Sequence, residues 1–155
     1  MKSSFRTVAL IGKYKSPEVA GPLLALGRFL ESRQVKVLVD KLTASQVKQV
    51  GYPVMPLEEI GQKADLAVVI GGDGTMLNIA RTLAPHNVAL VGVNQGRLGF
   101  LTDISVENMI ATIGAILDGK YQMRRLIGAG PRCCEQTCKA KQNRRGARLG
   151  RAHAK

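Results

Sequence analysis

The segment LAVVIGGDGTMLNIA, residues 66–80, runs from an apolar stretch through two glycines, an aspartate and a third glycine into a helical pattern. Glycines after a buried strand let a backbone approach a ligand closely, and the following helix directs its free N–H groups and positive dipole end into the same mouth. Asp73 is the anomaly, because phosphate oxygens repel a carboxylate. It becomes useful beside a divalent cation, or beside a hydroxyl that is about to be phosphorylated, which it can orient and deprotonate. The plainer alternative is that Asp73 or Thr75 caps the helix and the glycines merely form a turn. The segment is not a P-loop, since Gly-Lys-Ser/Thr is absent, and Leu77 stands where a dinucleotide fingerprint would place its third glycine.

The flanking elements are expected to be those of an α/β protein. Residues 7–12, 35–40, 66–70 and 88–93 read as strands, and the almost wholly apolar 66–70 suits a parallel sheet buried on both faces. Between them, residues 16–33 read as a helix. Ser16 and Pro17 stand at its entry, Leu23, Leu26, Phe29 and Leu30 lie on one face, and Pro22 forces a kink or a start near Gly21. A short helix is expected near Pro56, another over 75–84, and a third over 105–119 with Ser105 as N-cap and Gly119 as the stop. Residues 41–63 are otherwise ambiguous. The alternation predicts an open Rossmann-like parallel sheet with flanking helices, its post-strand loops gathered at one ligand-binding edge.

The formal charge of +12 is unevenly placed. Residues 1–123 hold 13 Lys and Arg against 10 Asp and Glu, whereas residues 124–155 hold 10 against 1. The last segment also carries all three cysteines, Cys133, Cys134 and Cys138, in a spacing that lacks the two pairs of a structural zinc site. It shows no period of two or 3.6, so it is expected to be disordered. No apolar run approaches the roughly 18–20 residues of a membrane span. The first apolar run, Val8 to Ile11, is too short for a secretory leader. The expectation is a cytoplasmic protein without membrane or specific nucleic-acid partners. A basic tail could still bind phosphate backbones nonspecifically, but little aromatic material accompanies it.

Two motifs together sharpen this reading. GGDGT at 71–75 and VGVNQGRLGFLTD at 91–103, the latter an Asn-x-Gly-x-Leu-Gly-Phe-Leu pattern after a strand, resemble the NAD kinase family. The likeness extends from residue 5 to about 123. It implies ATP-dependent phosphorylation of NAD at the 2′-hydroxyl of its adenosine ribose, with a divalent metal, Mg²⁺. It further implies that Asp73 is the catalytic aspartate and Gly74 its neighbour on the substrate, while Gly71 and Gly72 line the nucleotide phosphates and Thr75 belongs to the same nucleotide-binding set. Asn94 would hydrogen-bond nucleotide, Gly96 and Gly99 would shape its loop, and Phe100 would pack near the adenine. Ordinary core packing remains the other reading of Phe100. Arg97 reads as a solvated loop residue, and Lys13 and Lys15 either help to hold ATP or are simply exposed. No metal ligands are assigned.

The family continues into a second, mostly β domain with an Asn-Glu motif and much of the oligomer contact. Here residues 1–123 are expected to form the α/β domain, and 124–155 a basic tail unlike the family, as a shift of reading frame after about Met123 would produce. Little activity is expected of such a chain alone, and the family's homo-oligomer is not expected. The other functions that fit are a GGDGT-type kinase acting on lipid or sugar, and a nonspecific nucleic-acid-binding fragment.

Overall fold

The structure, a computed structural model, describes residues 5–126, 132–136 and 151–153. Five parallel strands carry the site: β1 (Thr7–Gly12), β2 (Lys36–Asp40), β3 (Val54–Met55), β4 (Leu66–Ile70) and β5 (Ala89–Asn94). They lie in the order β3-β2-β1-β4-β5. The order reverses between β1 and β4, and it is at the carboxyl ends of strands around such a reversal that open α/β sheets bind ligands. The register aligns Gly12 with Ile70 and Ile70 with Val93. The residues that follow, Lys13, Gly71 and Asn94, therefore leave the sheet side by side.

Helices cover both faces. On one, α1 (Ala20–Ser32) buries Leu23, Leu26 and Leu30 and α5 (Met109–Leu117) buries Met109, Ile113, Ile116 and Leu117 against Val8, Leu10, Val68 and Val91. On the other, α3 (Leu57–Lys63) and α4 (Asp73–Leu83) bury Ile60, Met76, Ala80 and Leu83 against Ala9, Ile11, Val69 and Leu90. The strands alternate between the two cores residue by residue, as the pleat requires. The four strands read from sequence are present within a residue at each end. Pro17–Val19 forms a separate 3-10 turn, so α1 starts at Ala20 and holds Pro22 in its first turn, where a missing N–H costs nothing.

Three sequence expectations change. Residues 41–55 contain a four-residue helix, α2 (Lys41–Ala44), and the short edge strand β3, both too brief for a periodic signal. Ser105 is not the cap of α5: it ends a two-residue strand, β6 (Ile104–Ser105), paired with Val93 and Asn94, and Asn108 takes the cap position. Beyond Met123 the expectation of disorder does not hold for every residue. Strand β7 (Tyr121–Leu126) pairs antiparallel with β8 (Arg132–Gln136) and with β9 (Arg151–His153), and β8 lies parallel to Ala89 and Leu90 of β5. The physical reason is that an edge strand such as β5 offers a row of backbone donors and acceptors, which any chain can pair with whatever its side-chain pattern. The rest of that expectation lies outside the described residues.

Candidate active site

The ends of β1, β4 and β5 enclose a cleft of about 870 Å³ lined by Lys13, Gly71, Gly72, Asp73, Asn94 and Arg97, among others. Gly72 is the N-cap of α4, with extended backbone, and no side chain caps the helix. That excludes the plainer reading of Asp73 and Thr75 as capping residues. Asp73 occupies the first helical position and turns its carboxylate to the loop after β5. Its Oδ2 accepts from the Phe100 N–H at 2.9 Å, and its Oδ1 accepts from the N–H groups of Leu101 and Thr102 at 3.0 and 3.1 Å and from the Thr102 hydroxyl at 3.1 Å. Burial pushes the Asp73 carboxyl up, but these four hydrogen bonds outweigh it and hold the pKa below the ordinary value. The group is therefore an anion at neutral pH.

Thr102 is the residue that sequence reasoning missed. It is fully buried, its hydroxyl donates to Asp73 and accepts from Asn94 Nδ2 at 2.9 Å. Asn94 is itself 8% exposed, and its Oδ1 accepts from the Gly96 N–H at 2.7 Å, which closes a tight turn. One chain of hydrogen bonds thus runs from the end of β5 to the start of α4. Two glycines permit it. A Cβ at Gly92 would stand 2.7 Å from the Thr102 methyl, and one at Gly99 would overlap the Asp73 carboxylate. Thr102 stood within the quoted motif but gave no signal, because a lone threonine shows its role only through its partners.

The remaining predicted residues divide. Gly71, Gly72, Asn94, Gly96 and Gly99 line the Asp73 cleft, as do Lys13 and Arg97. Gly74 is exposed on the first turn of α4. Phe100 is 62% exposed, so core packing is not its role, and it stands on the loop whose backbone holds Asp73. Thr75 lies elsewhere, lining a second groove with Lys13 and Asp40. Lys15 has a left-handed backbone, φ 56°, and its ammonium sits 5.6 Å from the centre of the Tyr14 ring. Glu18 and Glu107 also line the cleft, so its charge is mixed rather than uniformly cationic. The Ser16 hydroxyl, donating to Glu18 at 2.7 Å, holds that carboxyl below the usual range.

Among the described residues no cluster of three or more His, Cys, Asp and Glu is placed to hold a metal ion. A protein-built cation cage does not fit this site. Mg²⁺ that is carried mainly by substrate phosphates needs none, since it keeps its waters and takes one or two protein oxygens at most.

Sheet order and cleft position define a Rossmann-like α/β domain that carries an ionised aspartate at an uncapped helix N-terminus. The model for the ATP-NAD kinase N-terminal domain matches residues 8–121, and the chain belongs to that family. It is 61% identical over 121 residues to the NAD kinase of Nitrosospira multiformis and 56% identical over 117 residues to that of Nitrosomonas eutropha. These alignments cover 78% and 76% of the chain but 41% and 40% of the relatives, so the chain spans about two-fifths of their length. A crystal structure of yeast NADH kinase complexed with NADH shares the fold, with a TM-score of 0.58 and 18% identity over 77% of this chain and 41% of that one. No helix among the described residues is long and apolar enough to cross a membrane.

Proposed function

We propose that this chain carries the phosphoryl-transfer half-site of an ATP-dependent NAD kinase, acting on the 2′-hydroxyl of the adenosine ribose of NAD. The observation that carries the reading is the Asp73 carboxylate. It is ionised, fixed in orientation and set beside the uncapped amides of α4 in a cleft large enough for a dinucleotide. Three donors crowd Oδ1 while Oδ2 takes one, which leaves Oδ2 with capacity for an incoming hydroxyl.

In this mechanism Asp73 accepts a hydrogen bond from the ribose hydroxyl and orients its oxygen toward the terminal phosphorus of the donor. The new O–P bond forms as the bond to the leaving diphosphate breaks, and the hydroxyl proton passes to Asp73. A carboxylate with a lowered pKa is a weak base, which suits a loose transition state where the proton leaves late. The backbone at Gly72 and the start of α4 would face the phosphate oxygens with N–H groups, while the Gly71 N–H is already given to the Val93 carbonyl at 2.9 Å. Lys13 and Arg97 add positive charge at the cleft wall. Asn94 and Thr102 hold the loop that holds Asp73. A divalent ion, when bound on the donor phosphates, neutralises their charge.

The test is an NMR titration of the labelled chain with NAD, followed by an assay for NADP in the presence of ATP. NAD should shift the signals of Gly72, Asp73 and Phe100, and any NADP formed should vanish in Asp73→Asn. NAD signals that move elsewhere, or nowhere, would sink the reading.

A further inference from the structure

The chain leaves β1 through a turn, residues 13–16, whose first and last members are clasped by one distant side chain. The Ser16 N–H donates to Gln46 Oε1 at 2.7 Å, and Gln46 Nε2 donates to the Lys13 carbonyl at 3.2 Å. A carboxamide is the group that can do both, since the N–H needs an acceptor and the carbonyl needs a donor. Inside the clasp Lys15 has φ 56°, a left-handed backbone that a residue with a Cβ keeps only when its surroundings impose it. Gln46 is anchored in its turn. Its N–H donates to the Thr43 carbonyl at 3.1 Å, and its neighbour Val47 is buried. The Thr43 hydroxyl accepts from the Gly12 N–H at 2.9 Å, and the Thr43 N–H and hydroxyl donate to Asp40 Oδ2 at 3.2 Å each. The segment 40–46 therefore grips the exit of β1 at Gly12, Lys13 and Ser16.

We propose that Gln46 is a positioning residue for phosphate binding: it fixes the turn from which Lys13 reaches phosphate groups in the Asp73 cleft. Lys13 and Ser16 line that cleft, whereas Gln46 lines neither the cleft nor the second groove, so it acts through the turn. The sheet does not require the clasp, because β1 is already paired with β2 on one side and β4 on the other. What the clasp adds is control of Lys13. The Lys13 N–H donates to the Ile70 carbonyl at 2.9 Å and its carbonyl accepts from Gln46, so its backbone is pinned at both ends while its side chain is exposed. A lysine on a loose loop loses backbone freedom when it settles on phosphate. On a pinned backbone that loss is already taken in folding, which strengthens binding.

The proposal rests on the reading of Lys13 as a phosphate-facing cation of the phosphoryl-transfer site, and its test keeps the two apart. Inorganic tripolyphosphate is the probe, because it carries phosphate chemistry without a nucleoside, and NAD is titrated in a parallel series. The isotope-labelled 155-residue chain is compared with Gln46→Met, Lys13→Met and the double variant. In Gln46→Met the Ser16 amide should exchange with solvent deuterium about tenfold faster or more, while the β1 amides stay protected. Tripolyphosphate affinity should fall about 3–10-fold in Gln46→Met, at least as far in Lys13→Met, and no further in the double variant than in Lys13→Met alone. Gln46→Ala should behave as Gln46→Met does. Such non-additivity marks a residue that works through Lys13, and general loosening of the fold would not produce it. Effects that simply add, an affinity or a Ser16 amide indifferent to Gln46→Met, or no tripolyphosphate binding by the folded chain would overturn the proposal. If the cycle holds while NAD leaves the Asp73 cleft unperturbed, Gln46 keeps its role and the acceptor assignment falls. If NAD moves the Asp73 signals while tripolyphosphate ignores Gln46, the acceptor assignment stands and the positioning role falls.

Discussion

Thr102 places its hydroxyl 3.1 Å from Asp73 Oδ1 and 2.9 Å from Asn94 Nδ2, so one buried side chain joins the second motif to an aspartate 29 residues before it. The anion at the helix start is thereby part of a rigid network rather than a free side chain awaiting substrate.

Thr102→Val keeps the shape and removes the hydroxyl. It leaves Asn94 Nδ2 and Asp73 Oδ1 each short of a partner, and should cost about 1–3 kcal/mol of stability in denaturant unfolding. Thr102→Ser should recover most of the loss. A carbon-detected titration of Asp73 should show its pKa moving up in the valine variant, toward the ordinary value, and back down in the serine variant.

Asp73→Asn replaces an acceptor by a group that presents donors to donors. The 100–102 loop should loosen, and the Phe100, Leu101 and Thr102 amides should exchange much faster with solvent deuterium. The β4 amides, held by sheet pairing on both sides, should remain protected.

Gly99→Ala should be far more harmful than Gly96→Ala. The added methyl at 99 meets the Asp73 carboxylate, whereas at 96 the nearest atom is Asn94 Oδ1 at 3.9 Å. Thermal unfolding of the two variants should rank them in that order, and equal midpoints would contradict the close approach.

Two hydrogen-bonded aspartates, the half-buried Asp73 and the buried Asp40, should give opposite pH signatures. The folded pKa of Asp73 is depressed, so its contribution is present above the unfolded value of about 3.9 and is lost as pH falls through the lower folded value. For Asp40, burial raises the pKa and the Thr43 hydrogen bonds only partly offset it. Its contribution is full below about 3.9 and is lost as pH rises through the higher folded value. Stability measured from pH 2 to 7 should therefore lose part of its rise in Asp73→Asn and rise more steeply in Asp40→Asn.

The apolar strands β1, β4 and β5 and the glycine-aspartate turn were legible because a buried parallel sheet needs continuous apolar runs and a close turn needs glycine. The short elements α2, β3 and β6 were not, since two to four residues carry no period and are placed by their neighbours. The candidate site was legible as residue types but not as contacts. Nothing in GGDGT says that Thr75 faces a different hollow from Asp73, or that Asp40 and Thr43 stand at that hollow's far end. Those relations arise from strand order, which only the folded sheet displays.

The edge of β5 is shared unequally along its length. Val93 and Asn94, next to the site, pair with Ile104 and Ser105 a few residues further along the same chain, while Ala89 and Leu90 pair with Arg132 and Cys133. The end that bears on Asp73 is sealed locally, before α5 is made. Sequence following that helix can therefore diverge without disturbing the anion's setting, which makes the turn, its clasping loop and the strand between them a self-contained cassette.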